Sequence, residues 1–131
     1  MIHELDLTFD HVHVFCSDTA ATERWFTTCL GAELLTRRPN KGVPASDLRL
    51  GGITILIRGP RPDEALANPG PRHFGNDHFG FRVRDLASTV AELKGRGVTF
   101  TVEPYEARPG LRVAFIKGPD DVLIELLQYD E

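Results

Sequence analysis

The chain has 131 residues, which suits one domain and is too short for two ordinary ones. Hydrophobic residues make up 41% and charged residues 26%, a globular composition that needs neither disulfides nor a structural metal to fold. Fifteen Lys and Arg against nineteen Asp and Glu leave a net charge of −4, which argues against a nucleic-acid-binding domain with its basic face. No apolar run approaches the ~18 residues needed to span a bilayer. The opening MIHELDLTFD lacks the basic start and apolar stretch of a signal peptide, so the expected setting is the cytoplasm, with no membrane partner. There, Cys16 and Cys29, which lie outside any CxxC or zinc-finger spacing, are expected as reduced, buried small hydrophobes.

The first element is the alternating run His11 to Cys16, a half-buried strand with Val12, Val14 and Cys16 on one face and His11, His13 and Phe15 on the other. Asp18 stands where a helix N-cap is wanted. Ala21, Trp25 and Cys29 then recur every four residues, with Phe26 and Leu30 beside them, until Gly31 lets the chain turn out. Three short strands follow: Glu33–Arg37, Asp47–Leu50 and Ile53–Arg58, the last two joined by a Gly51-Gly52 turn.

Residues 59–76 carry four prolines and three glycines without periodicity and read as a linker that can cover a site. The pattern then repeats. Asp77-His78-Phe79-Gly80-Phe81 answers Asp10-His11-Val12-His13-Val14 at an offset of 67, Arg96-Gly97 answers Leu30-Gly31, and Val122 to Leu126 answers Ile53 to Ile57. Asp85 caps a second helix with Leu86, Val90 and Leu93 on one stripe. The strands Val98–Val102, Arg112–Lys117 and Val122–Gln128 close the copy, with Glu103 to Gly110 as a turn. The chain is therefore one domain of class α+β, built from two tandem βαβββ modules at about residues 9–58 and 77–128.

His11 and His78 are equivalent in the repeat and share the non-helix side of their strands. Glu125, whose repeat partner is Leu56, lies in the otherwise apolar run Val122 to Leu127. A carboxylate buried there costs several kcal/mol unless a cation or hydrogen bonds compensate. A metal shared with His11 and His78 is one compensation, and a salt bridge to an inward Arg82 is the other. Two imidazoles and a carboxylate form a 2-His-1-carboxylate set that leaves coordination positions open. The two modules are expected to bring these three residues to one point.

Residues 9–128 resemble the vicinal oxygen chelate superfamily, which holds glyoxalases, bleomycin-resistance proteins and extradiol dioxygenases. The matching motifs are Asp10-His11-Val12, Leu30-Gly31, Asp77-His78-Phe79, and Gly118-Pro119-Asp120 followed by Ile124-Glu125-Leu126-Leu127. The resemblance implies a cupped half-barrel sheet with helices outside it, a homodimer, and a divalent metal (Fe²⁺, Mn²⁺ or Zn²⁺) on His11, His78 and Glu125. Leu56 departs from glyoxalase I and methylmalonyl-CoA epimerase, which have a polar fourth ligand there. Leucine neither ligates nor accepts a proton, so the pattern is closer to extradiol dioxygenases and fosfomycin-modifying transferases.

The expected activity is therefore metal-dependent chemistry on a small chelating substrate, with dioxygenase-like chemistry favoured. Lyase or isomerase chemistry and metal-free drug sequestration are the alternatives. His13 is placed for general-base work or for a packed wall. Phe15, Leu56, Arg82, Tyr105 and Arg108 are expected to shape the substrate pocket, with His73 and Phe74 in the linker above it.

Overall fold

In the computed structural model the described residues are 5–67 and 73–130. The middle of the proline-rich linker, residues 68–72, lies outside them. The first module runs β1 (His11–Phe15), α1 (Thr19–Cys29), β2 (Glu33–Arg37), β3 (Ala45–Leu50) and β4 (Ile53–Arg58). The second runs β5 (Phe79–Arg82), α2 (Leu86–Gly95), β6 (Thr99–Arg108), β7 (Leu111–Lys117) and β8 (Leu123–Tyr129). The two sheets have equivalent strand orders, β1-β4-β3-β2 and β5-β8-β7-β6, with no strand pairing between them. No helix of the described residues is long and apolar enough to cross a membrane.

Local chemistry explains the elements. Asp18 and Asp85 adopt extended backbone and accept hydrogen bonds from the amides of Ala21 and Ser88, each at 3.0 Å, which satisfies first-turn donors. Gly31 (φ 75°) and Gly97 (φ 81°) take the left-handed turn that ends each helix. The centre of the α1 stripe is Thr22 and Phe26, while Trp25 and Cys29 are only half-buried beside it.

β6 differs from the expected short strand. Tyr105 and Arg108 lie on this ten-residue strand, and the turn is confined to the residues around Gly110. Pro104 does not end the strand because β6 is the sheet edge, where a missing amide donor costs little and register shifts absorb the irregularity.

Each helix packs on the face of its sheet opposite the histidines. One continuous core joins the two modules: Cys16, Phe26, Leu48, Ile55 and Ile57 from the first, and Leu86, Val90, Ala114, Ile116 and Ile124 from the second. Close approaches lock the modules together. Gly118 lies so near Trp25 that a Cβ would sit 3.1 Å from the indole, and a Cβ on Gly51 would meet the Phe81 ring at 2.7 Å. The Ser17 amide donates to Asp120 Oδ2 at 2.9 Å, and Arg96 Nη1 donates to the Cys29 carbonyl at 2.9 Å. Both cysteines are free thiols, Cys16 buried and Cys29 partly exposed.

The linker begins by folding back on the first sheet. Arg58, 5% exposed, donates to both carboxylate oxygens of Glu64 at 2.7 and 3.0 Å and stacks over Phe15 at 4.4 Å. That bidentate bond, followed by a hydrogen bond from the Arg61 amide, holds the Glu64 carboxyl down at about 2, from an ordinary 4.5. A depressed carboxyl stabilises the fold above its unfolded pKa, and the contribution is lost as pH falls from 4.5 toward 2. Glu64→Gln is therefore expected to lower stability at neutral pH and to flatten its fall across that acid range. Urea unfolding at a series of pH values reads this, and parallel curves for the two proteins would contradict it.

Candidate metal centre

Register defines the histidine-bearing face of each sheet. β1 pairs in parallel with β4, setting His11 against Thr54, His13 against Leu56 and Phe15 against Arg58. β5 pairs in parallel with β8, setting Gly80 against Glu125 and Arg82 against Leu127. Because alternate residues share a face, His11, His13, Phe15, Leu56 and Arg58 line the first face, and His78, Gly80, Arg82, Glu125 and Leu127 line the second. The pairing makes Leu56 the structural counterpart of Glu125.

Two carboxylate–imidazole pairs repeat across the modules. His11 Nδ1 donates to Asp10 Oδ2 at 2.7 Å, and His78 Nδ1 donates to Asp77 Oδ2 at 2.8 Å. Each bond fixes the ring and turns Nε2 away from its own aspartate. This is the outer-sphere support that metal-binding histidines use. Asp10 and Asp77 were visible in the repeated Asp-His motif as neighbours, but their role as orienting groups emerges only from this geometry.

His78 Nε2 lies 3.1 Å from Glu125 Oε1, and its ring packs edge-on against Phe115 at 5.0 Å. With a carboxylate on each nitrogen, the ring can donate twice only as imidazolium. Burial alone pushes its pKa down, but the hydrogen bonds to Asp77 and Glu125 and their charges override this and raise it.

Glu125 is thus compensated by His78, not by Arg82. Arg82 instead lies over the Tyr129 ring at 4.5 Å. Tyr105 stands opposite Val113 on the edge strand, 47% exposed, with Arg108 at the strand's end. His73 holds the Asn76 carbonyl at 2.7 Å through Nε2, and Phe74 is fully exposed instead of covering the cup.

His11 does not join His78 and Glu125 within the chain. Among the described residues no group of three His, Cys, Asp or Glu side chains is placed to hold a metal ion. The reason is the shared core: the two sheets are joined through their helix-bearing sides, so the histidine faces lie outside it as two half-sites.

The first half-site is cationic. His13 sits edge-on to Phe15 at 5.1 Å, and its pKa is pushed down, first by burial and then by the charges of Arg58, His11 and Arg61. Arg38, Arg58, Arg61 and Glu64 were not singled out in the sequence, because nothing in their spacing links them to β1.

A pair of βαβββ modules, each with an Asp-His pair opening its first strand, defines an α+β domain of the half-barrel type. The chain belongs to the Glyoxalase/Bleomycin resistance protein/Dioxygenase superfamily, whose family model matches residues 8–126. It is 32% identical over 129 residues to a probable chloroplastic lactoylglutathione lyase of Arabidopsis thaliana, covering 90% of this chain and 35% of that protein. It is 27% identical over 145 residues to a 4-hydroxyphenylpyruvate dioxygenase of Hordeum vulgare, covering 95% and 33%. The chain thus spans about a third of the length of these two relatives. A glyoxalase family protein from Enterococcus faecalis superposes with a TM-score of 0.78 at 26% identity, over 92% of this chain and 96% of that one.

Proposed function

We propose that the protein is a divalent-metal enzyme acting on a small substrate that chelates the metal through adjacent oxygens. His11, His78 and Glu125 are the ligands, and dioxygenase-like chemistry is the favoured subclass. The observation that carries the reading is the repeated Asp–His pair with Glu125 at 3.1 Å from the second imidazole. This donor set suits the metal: the rings are oriented from behind, and a carboxylate already faces one open nitrogen. When bound, the metal supplies Lewis-acid polarisation of substrate oxygens, or oxygen activation if it is iron. Superfamily members typically use divalent metals.

A second copy of the chain completes the centre, bringing its His78 and Glu125 opposite His11. Two features support this. β1 and β5 each leave one edge unpaired, next to the two histidines. Ahead of β1, Leu5, Leu7 and Phe9 are 71%, 81% and 69% exposed, an apolar stripe that a partner would cover.

Leu56 decides between subclasses. It stands where Glu125 stands in the other module, so that position offers no carboxylate of its own, and the neighbouring Asp47 is held by Arg38. Lyase or isomerase chemistry remains as a second reading because His13 lies directly across from Leu56, within reach of that task. The test is metal content after aerobic and anaerobic preparation, followed by oxygen uptake with a panel of catechols. Near-stoichiometric metal with catechol-dependent uptake is expected. Less than about a tenth of an equivalent of any transition metal would overturn the enzyme reading. Hemithioacetal turnover without oxygen uptake would move the assignment to the lyases.

A further inference from the structure

The repeat is broken at one place in the seam between the modules. Trp25 and Glu92 each stand seven residues after the aspartate that caps their helix, and the residues that follow them, Phe26 and Leu93, are both buried. Register matches the facing wall. Leu50 stands opposite Ile53, and the Gly118 amide donates to the carbonyl of Val122, the repeat partner of Ile53, at 2.8 Å. At one end of the seam the Trp25 indole therefore lies on Gly118, where a Cβ would sit 3.1 Å from the ring. At the equivalent end Glu92 and Leu50 line a cleft instead.

The cleft measures about 680 Å³ and opens on the helix side of the second sheet, between α2 and the Gly51 turn. That is within the range of roughly 300–1,000 Å³ typical of small-molecule pockets. Leu50, Phe81, Val83 and Leu93 give it apolar walls. The Phe81 ring is set edge-on to Phe79 at 5.9 Å, so it stands in a fixed orientation. Glu92 does not fill the space, because its side chain is 65% exposed and lies 3.0 Å from Arg96. That pair balances its own charge at the mouth. Arg82, on the rim, lays its guanidinium over Tyr129 on the other face of the sheet.

We propose that this cleft is a small-molecule site for a neutral, planar aromatic ring of indole size, seated where Trp25 sits at the equivalent end. An apolar cavity that lacks an aromatic group takes an aromatic guest, because water finds few hydrogen-bond partners there. Phe81 supplies the aromatic neighbour that Phe26 supplies to Trp25 at 5.0 Å. Neutrality follows from the walls and the mouth. A charged ring would lose its water against apolar side chains, and the Glu92–Arg96 pair leaves no net charge to receive it. The site lies on the sheet face opposite His78 and Glu125, so it does not depend on the metal reading and its guest is not the chelating substrate.

The test is an NMR titration of the ¹⁵N-labelled chain with indole. Saturable shifts are expected at the amides of Gly51, Val83 and Leu93, with the Gly118 amide at the filled end unmoved. Glu92→Trp gives α2 the residue that α1 already carries and is expected to weaken indole binding about tenfold or more. Glu92→Gln removes the charge without filling the space and should keep the binding. Leu50→Phe fills the cleft from the facing wall and serves if the tryptophan variant fails to fold, with the same loss expected. Shifts that do not saturate, or that spread evenly over the molecule, would overturn the site. So would indole binding left unchanged by the variants that fill the cleft. Tighter binding of indole-3-acetate than of indole would overturn the neutral class of guest.

Discussion

Protein carrying His11→Ala and protein carrying His78→Ala, each nearly metal-free alone, are expected to regain metal when mixed. The two residues sit on faces of different sheets, and among the described residues no third ligand joins His78 and Glu125. A dimer that crosses the half-sites has one centre with His11 from the first copy and His78 from the second. A mixed dimer then holds one centre with both substitutions and one with neither. Random exchange of subunits restores about a quarter of all centres. A centre built within one chain would regain nothing, so the mixing result separates the two assemblies directly. Asp77→Asn should act more gently, weakening metal binding roughly 10–100-fold, because it removes the group that orients the ring and leaves the ligand itself. Competition against a chelating dye reads both effects. A metal affinity unchanged by Asp77→Asn would remove the orienting role.

Phe26→Ala is expected to cost about 3–5 kcal/mol of stability. Phe26 has no exposed surface, sits at the centre of the α1 stripe, and stands edge-on to Trp25 at 5.0 Å. Its loss empties the seam where the modules meet, since Trp25 in turn lies against Gly118 of the second module. A domain of ordinary stability has only about 5–15 kcal/mol to lose. Because the core is continuous, both modules should unfold together. Urea unfolding followed by fluorescence of Trp25, the single tryptophan, and by far-UV circular dichroism should give coincident midpoints, both shifted downward. A second module that unfolds later than the first would show that the cores are separate.

Much of the fold was legible in the residues. Alternation from His11 to Cys16 and from His78 to Val83 marked the first strand of each module, and Asp18 and Asp85 marked the helix starts. The repeat also assigned Leu56 as the counterpart of Glu125, and the strand registers reproduce that equivalence. Less legible was anything that depends on distance in space. Glu103 to Gly110 read as a turn, yet most of it extends β6, whose edge position makes Pro104 harmless. The Arg58–Glu64 clamp joins a strand end to the linker, and no periodicity announces it. Arg82 was a candidate partner for Glu125, but the Tyr129 ring lies within its reach and His78 is already in place.

Periodicity set the α+β class, and the repeat set its two modules and the residues that open each one. These follow from local periodicity and capping, which act over a few residues and survive in the sequence. How the modules face one another is a different matter. Burying the apolar helix sides against each other removes the most apolar surface from water. The histidine faces, which solvent can satisfy, are left on the outside. That balance is a sum over the whole surface, so no motif encodes it. It separates His11 from His78 within the chain.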